Sequence, residues 1–246
     1  MYHNTTTTET LNENLPAVIP PVLKTDDFVF DADKMILVDI SGYWRYAQFI
    51  GAERVNKKLG TKGYKEFCVK DSTQDFNNKP HHEWLKDDYK SHMIGIFGEL
   101  AYGLEAGLQP NMELLEFGDG NQDFADVDIK SCWIDHPEMS KYLIENCYKK
   151  NKNQITKYYV KAAISLQYKK VVLVGWLTGE ELCKGHIKNY GKGNAKWGDD
   201  GNRFAVHYSD LNSMYTFPPL VNQKKKILSK TIGFANRFQQ QLKLSA

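Results

Sequence analysis

The chain has 246 residues, 41% of them apolar and 13% aromatic, which excludes a disordered polymer and is enough for a full hydrophobic core. Apolar runs such as VVLVGWL (171–177) are too short to span a bilayer, and four cysteines (Cys68, Cys132, Cys147, Cys183) without CxxC spacing argue against a disulfide framework or a zinc ribbon. The net charge of +2 divides unevenly: residues 1–143 hold 14 Lys and Arg against 24 Asp and Glu, net −10, whereas residues 144–246 hold 18 against 6, net +12. A second half of that sign is expected to face a polyanion or to present a solvated basic face. The N-terminus lacks a basic stretch followed by an apolar one, so no signal peptide and a cytoplasmic location are expected.

Residues 1–25, Thr-rich and punctuated by Pro16, Pro20 and Pro21, read as a flexible arm. Residues 26–90 form an extension, with a strand at 35–41 (MILVDIS), a helix at 43–59 and a polar loop with a short helix over 60–90, the strand and helix packing on the core that follows. SHMIGIFGELAYGLEAGL (91–108) is apolar around nearly its whole circumference and predicts a deeply buried helix. A strand is expected at 112–117, a turn at 118–122, and a strand over 124–133, where apolar and polar residues alternate. The segment 137–151 is amphipathic and predicts a helix. Further strands are expected at 157–167, 170–178 and 203–208, separated by a glycine-rich loop at 188–202. The basic segment KKKILSKTIGFANRFQQQLKL (224–244) reads as an amphipathic helix within a C-terminal unit, 216–246. This order predicts an α/β fold, with a mixed central sheet flanked by helices.

The candidate chemistry lies in DFADVDIKS (123–131). Residues two apart on a strand share a face, so Asp126, Asp128 and Lys130 line one side while Val127 and Ile129 line the other. Solvated, such a stripe carries no chemistry; in a cleft, its carboxylates suit a hard cation such as Mg²⁺ or Mn²⁺. Glu99 stands among apolar neighbours in IGIFGELAYGL, and a buried carboxylate there needs a cationic partner or a metal unless it reaches solvent. Downstream, CYKKNKNQITKYYVK interleaves Lys149, Lys150, Lys152, Lys157 and Lys161 with Tyr148, Tyr158 and Tyr159. Lys192 and Lys196 follow in the glycine-rich loop. Lysines can track phosphates and tyrosines can stack on bases, or the same residues can form a solvated helix end and a strand with core tyrosines.

GELAYGL, then Asp123, then DIK (128–130), then VVLVGWLTGEE in that order resembles the PD-(D/E)XK nuclease superfamily, in its small phage and bacterial type. The likeness covers residues 91–215. It implies a restriction-endonuclease-like core and a metal-dependent deoxyribonuclease, a phosphodiesterase acting as endo- or exonuclease in a bacterial or phage-infected cell. Gln122 stands where the name-giving proline would be, and Asp119 or Asp126 could replace Asp123 as the first acid. The resemblance assigns Asp123, Asp128 and the Ile129 carbonyl to Mg²⁺, with Mn²⁺ as a substitute, and Glu99 to a second ion. It gives Lys130 the task of positioning or helping to deprotonate the attacking water, with metal and phosphate nearby favouring a depressed pKa. DNA is the implied partner, with RNA and a homodimer left open. A catalytically inactive nucleic-acid-binding module of the same fold is the alternative.

Overall fold

The computed structural model describes residues 24–25, 28–60, 81–108, 123–191 and 200–223. In chain order its elements are β1 (Lys24–Thr25), β2 (Phe28–Val29), β3 (Ile36–Asp39), α1 (Trp44–Gly60), α2 (His81–Ala106), β4 (Val127–Trp133) and β5 (Tyr142–Asn146). There follow α3 (Tyr148–Asn151), β6 (Tyr158–Ser165), β7 (Lys170–Thr178), α4 (Gly179–Leu182), β8 (His186–Asn189) and β9 (Asn202–His207). The fold is mixed α/β.

The β-branched runs of β6 and β7 lie at the centre of a four-stranded sheet of order β3-β7-β6-β4. β4 runs parallel to β6, and the other pairs are antiparallel. Both faces are covered, which is why β6 and β7 are apolar almost throughout rather than alternating. On one face Val127, Ile129, Val160, Ala162 and Leu173 meet α1 and α2 through Ala47, Ile50, Ile96, Phe97 and Leu100, and Trp44 stacks on Phe97 at 4.1 Å. On the other, Tyr159, Ala163, Val172 and Val174 meet Leu143 and Phe204 of an antiparallel sheet of order β5-β9-β8. Thus β3 of the expected extension is a strand of the main sheet, and α1 shares its core.

Gly98 sets how closely α2 sits on β4. A Cβ there would collide with Ser131 Oγ and lie 3.1 Å from Ile129 Cγ2. Ser131 Oγ itself is buried without a hydrogen-bond partner, as close helix–strand contact leaves no room for one. Gly98→Ala is therefore expected to cost about 1–3 kcal/mol, as overpacked cores do, and to push the neighbouring Glu99 off the strand. Urea unfolding checks this; an unchanged midpoint would show that the contact yields freely.

Three expectations are corrected. Residues 137–151 are not one helix: they turn over 137–141, run as β5 and end in the single turn α3. YLIEN fits either state over so short a span, and pairing with β9, some sixty residues later, decides for strand. α2 starts at His81, inside the stretch read as a loop with a short helix, and β8 occupies the start of the glycine-rich loop. The expected strand at 112–117, most of the N-terminal arm and residues 224–246 lie outside the described residues.

Candidate active site at the edge of β4

Among the described residues β4 is an edge strand, and the site is built around that edge. Asp128 and Lys130 share one face of the strand, and Val127 and Ile129 are packed under α2 on the other, as the alternation predicts. Asp126 lies outside the stripe. It sits in the turn before β4, mostly exposed, with Oδ2 3.8 Å from Lys157 Nζ, an ion pair of little energetic weight.

Residue Ile129 directs its backbone away from β6, because alternate residues of a paired strand turn outward. Its N–H donates to Asp123 Oδ2 at 2.6 Å, and its carbonyl points to the same open edge. Asp123 is thereby anchored between the two faces of the sheet. Glu99 approaches from the helical face and Asp128 from the other, and both charges act on Asp123. Burial first, then Glu99 and Asp128, push the Asp123 carboxyl up to about 8, against the opposing Ile129 N–H and Lys130 ammonium. Arg54 of α1 is the cation beside Glu99, with Nη1 3.7 Å from Oε1. That guanidinium comes from outside the stretch that carries the family resemblance.

The crossover from β4 to β6 brings in two more charges. It carries β5 and α3 over the Asp128 face, so Glu145 and Lys149 meet Lys130 there. Lys130 Nζ lies 2.9 Å from Asp128 Oδ2 and 2.8 Å from Glu145 Oε2; Lys149 Nζ lies 2.9 Å from the same Glu145 oxygen and 3.9 Å from Asp128 Oδ2. Burial alone would lower the Lys130 pKa, yet the Asp128 and Glu145 carboxylates outweigh it and hold the group above the ordinary lysine range. Glu145, the second of these partners, is the one that the helix reading of 137–151 had hidden. The Glu145 carboxyl is lowered: burial would raise it, but Lys130 and Lys149 prevail. Asp128 is raised by its burial and by Glu145 despite Lys130, because two carboxylates compete for the same ammonium groups.

The lysines expected to bind nucleic acid separate into three groups. Lys161 is 2% exposed, on the strand between β4 and β7, and cannot meet a polyanion. Its Nζ donates to Met139 O at 2.7 Å and Tyr142 O at 2.8 Å and lies 3.5 Å from Cys132 Sγ. Tyr159 is likewise core, its hydroxyl accepting from the Thr156 N–H. Lys149 belongs to the acidic cluster. Lys150, Lys152 and Lys157 remain at the surface, Lys152 over the Tyr148 ring and Lys157 over Tyr158, each at 5.1 Å. Lys192, Lys196 and Asp119 lie outside the described residues.

The donors suit a hard divalent cation in type and charge. Asp123 and Asp128 each engage a neighbour through Oδ2, leaving Oδ1 as a lone-pair donor, and the Ile129 carbonyl lies on the same edge. The unneutralised repulsion at Asp123 is what a cation would relieve. Among the described residues, no three His, Cys, Asp or Glu side chains form a group that could hold a metal ion as they stand. No helix among the described residues is long and apolar enough to cross a membrane. Compared with family models, curated proteins and solved structures, the chain matches none.

Proposed function

We propose that the chain is a metal-dependent nuclease that hydrolyses phosphodiester bonds in DNA on a restriction-endonuclease-like core. The observation that carries this reading is the grouping at β4: Asp123 accepts the Ile129 N–H at 2.6 Å, Asp128 lies 2.9 Å from Lys130, and Glu99 is near enough for its charge to act on Asp123. Asp123, Asp128 and the Ile129 carbonyl would hold Mg²⁺ or Mn²⁺, with Glu99 in reach of a second ion. The metal supplies Lewis-acid polarisation of a phosphoryl oxygen and a source of hydroxide near neutral pH.

The chain's own residues do the rest. Lys130, held between Asp128 and Glu145, stabilises the charge that grows on the phosphoryl oxygens and orients the attacking water. Asp123, tied to the Ile129 N–H, keeps one oxygen fixed while the other meets the cation. Exposed Lys150, Lys152 and Lys157 add counter-charge for the DNA backbone beyond the scissile position. The test is incubation of labelled single- and double-stranded DNA and RNA with Mg²⁺, Mn²⁺ or EDTA, for the parent and for Lys130→Ala. Metal-dependent cleavage that survives Lys130→Ala would sink the assignment. DNA binding without cleavage in any metal would indicate the inactive binding module instead.

A pH dependence follows from Asp123. Its folded pKa of about 8 lies above the ordinary 3.8, so between those values the folded protein holds a proton that the unfolded chain lacks. Stability of the metal-free protein is therefore expected to fall as pH rises from about 5.5 to about 8.5. Mg²⁺ should restore it most at the alkaline end, where the carboxylate is free to bind. Urea midpoints across that range, with and without Mg²⁺, check the slope, and Asp123→Asn should flatten it. A profile that rises over the same range would contradict the assignment.

A further inference from the structure

Glu145 has no place in the reading of the sequence and Lys149 stands there only among the phosphate-tracking lysines, yet together they complete the charge pattern of the site. Glu145 is fixed from behind: its Oε1 accepts the Asn146 N–H at 2.7 Å, and the residue is 3% exposed. Its Oε2 receives both Lys130 at 2.8 Å and Lys149 at 2.9 Å. Two ammonium groups on one oxygen stand within about 6 Å of each other, an arrangement that repulsion opposes unless an anion lies between them. Each ammonium has three N–H donors. Lys130 directs them at Asp128 and Glu145 and Lys149 at Glu145, so both keep donors to spare.

Charge balance says what those donors are for. Lys130 and Lys149 are matched by Glu145 and Asp128 as the site stands. Once Asp128 turns to a divalent cation, one positive charge is left over, which is the complement of a phosphodiester monoanion. We propose that Lys149 joins Lys130 in a two-lysine subsite for the non-bridging oxygens of the scissile phosphodiester, with Glu145 as the positioning residue that holds the two ammonium groups side by side. This rests on the nuclease reading and deepens it. It also separates Lys149 from Lys150, one residue on, which is exposed at the surface.

The test uses the full chain and a fluorescein-labelled oligonucleotide, single-stranded and duplex, followed by anisotropy over a salt titration in EDTA and in Ca²⁺, a hard cation suited to carboxylate oxygens. Cleavage in Mg²⁺ is read separately. With Ca²⁺ present, Lys149→Ala should weaken binding about tenfold and lower the slope of log affinity against log salt by about one. Lys149→Arg should recover most of both, and Lys149→Gln carries the same test if the alanine variant does not fold. Glu145→Gln should bind DNA more tightly in EDTA yet show a lower kcat in Mg²⁺, because a neutral amide no longer holds both ammonium groups. Unchanged affinity and slope in Lys149→Ala would overturn the subsite even if the parent cleaves. Loss of affinity in a parent background that cleaves nothing would keep the subsite and remove the nuclease reading. Glu145→Gln lowering affinity and kcat together would overturn its positioning role, and a parent that binds no DNA would overturn both proposals.

Discussion

Asp128→Asn is expected to lower metal-dependent DNA cleavage by at least about 100-fold, the usual loss when a group that organises transition-state charge is removed. Asparagine preserves the shape of the side chain and removes the charge that would hold the cation. It also takes away one of the two carboxylates on Lys130, leaving Glu145 at 2.8 Å as the remaining partner. The fold should tolerate this. The Asp128 pKa is raised by burial and by Glu145, so the folded state already resists the charged form, and a neutral isostere relieves that resistance. The stability change should therefore stay within about 1 kcal/mol, so that loss of activity and loss of structure are separable. Single-turnover cleavage alongside urea unfolding decides it, and activity within tenfold of the parent would remove Asp128 from the metal site.

Lys161→Ala is expected to destabilise the protein by about 3 kcal/mol. The Lys161 stem crosses the space between the two sheets, and its amine satisfies the Met139 and Tyr142 carbonyls at the entrance to β5. Burial pushes its pKa down, yet the amine donates in either protonation state. Truncation takes the donor from two part-buried carbonyls and opens a cavity where a long side chain stood. Lys161→Met keeps the stem and loses only the head, so about half the cost is expected. Both variants should also reduce cleavage, since the released carbonyls are the ones that hold β5, and with it Glu145, over Lys130. Chemical denaturation gives the first effect. Wild-type cleavage by Lys161→Met would show that Glu145 is held by β9 alone.

The strands of the main sheet were legible because their period or their β-branched content is local: β7 coincides with the run 170–178, and Val127 and Ile129 face the core as alternation requires. Glu99 was legible as a buried carboxylate in need of a partner, for its neighbours alone make it so. What was not legible depended on contacts distant in sequence. Glu145 went unnoticed because 137–151 is too short and too ambiguous for period to separate helix from strand, and β9 supplies the deciding hydrogen bonds.

The fate of the lysines shows where the division falls. Composition and order alone determined a mixed α/β chain with a basic second half, an acidic stripe at Asp128 and Lys130, and an apolar helix bearing Glu99. They could not say that Lys161 is interior, that Lys149 sits on the acids, or that Arg54 lies beside Glu99, since a lysine in sequence carries the same charge wherever it folds. Only the tertiary structure decided these, through the crossover that lays β5 and α3 over one face of β4 and the helices that cover the other. It also placed a second carboxylate on Lys130. A pKa is set by every charge within a few ångströms, and Glu145, fifteen residues downstream, arrives there only through the fold.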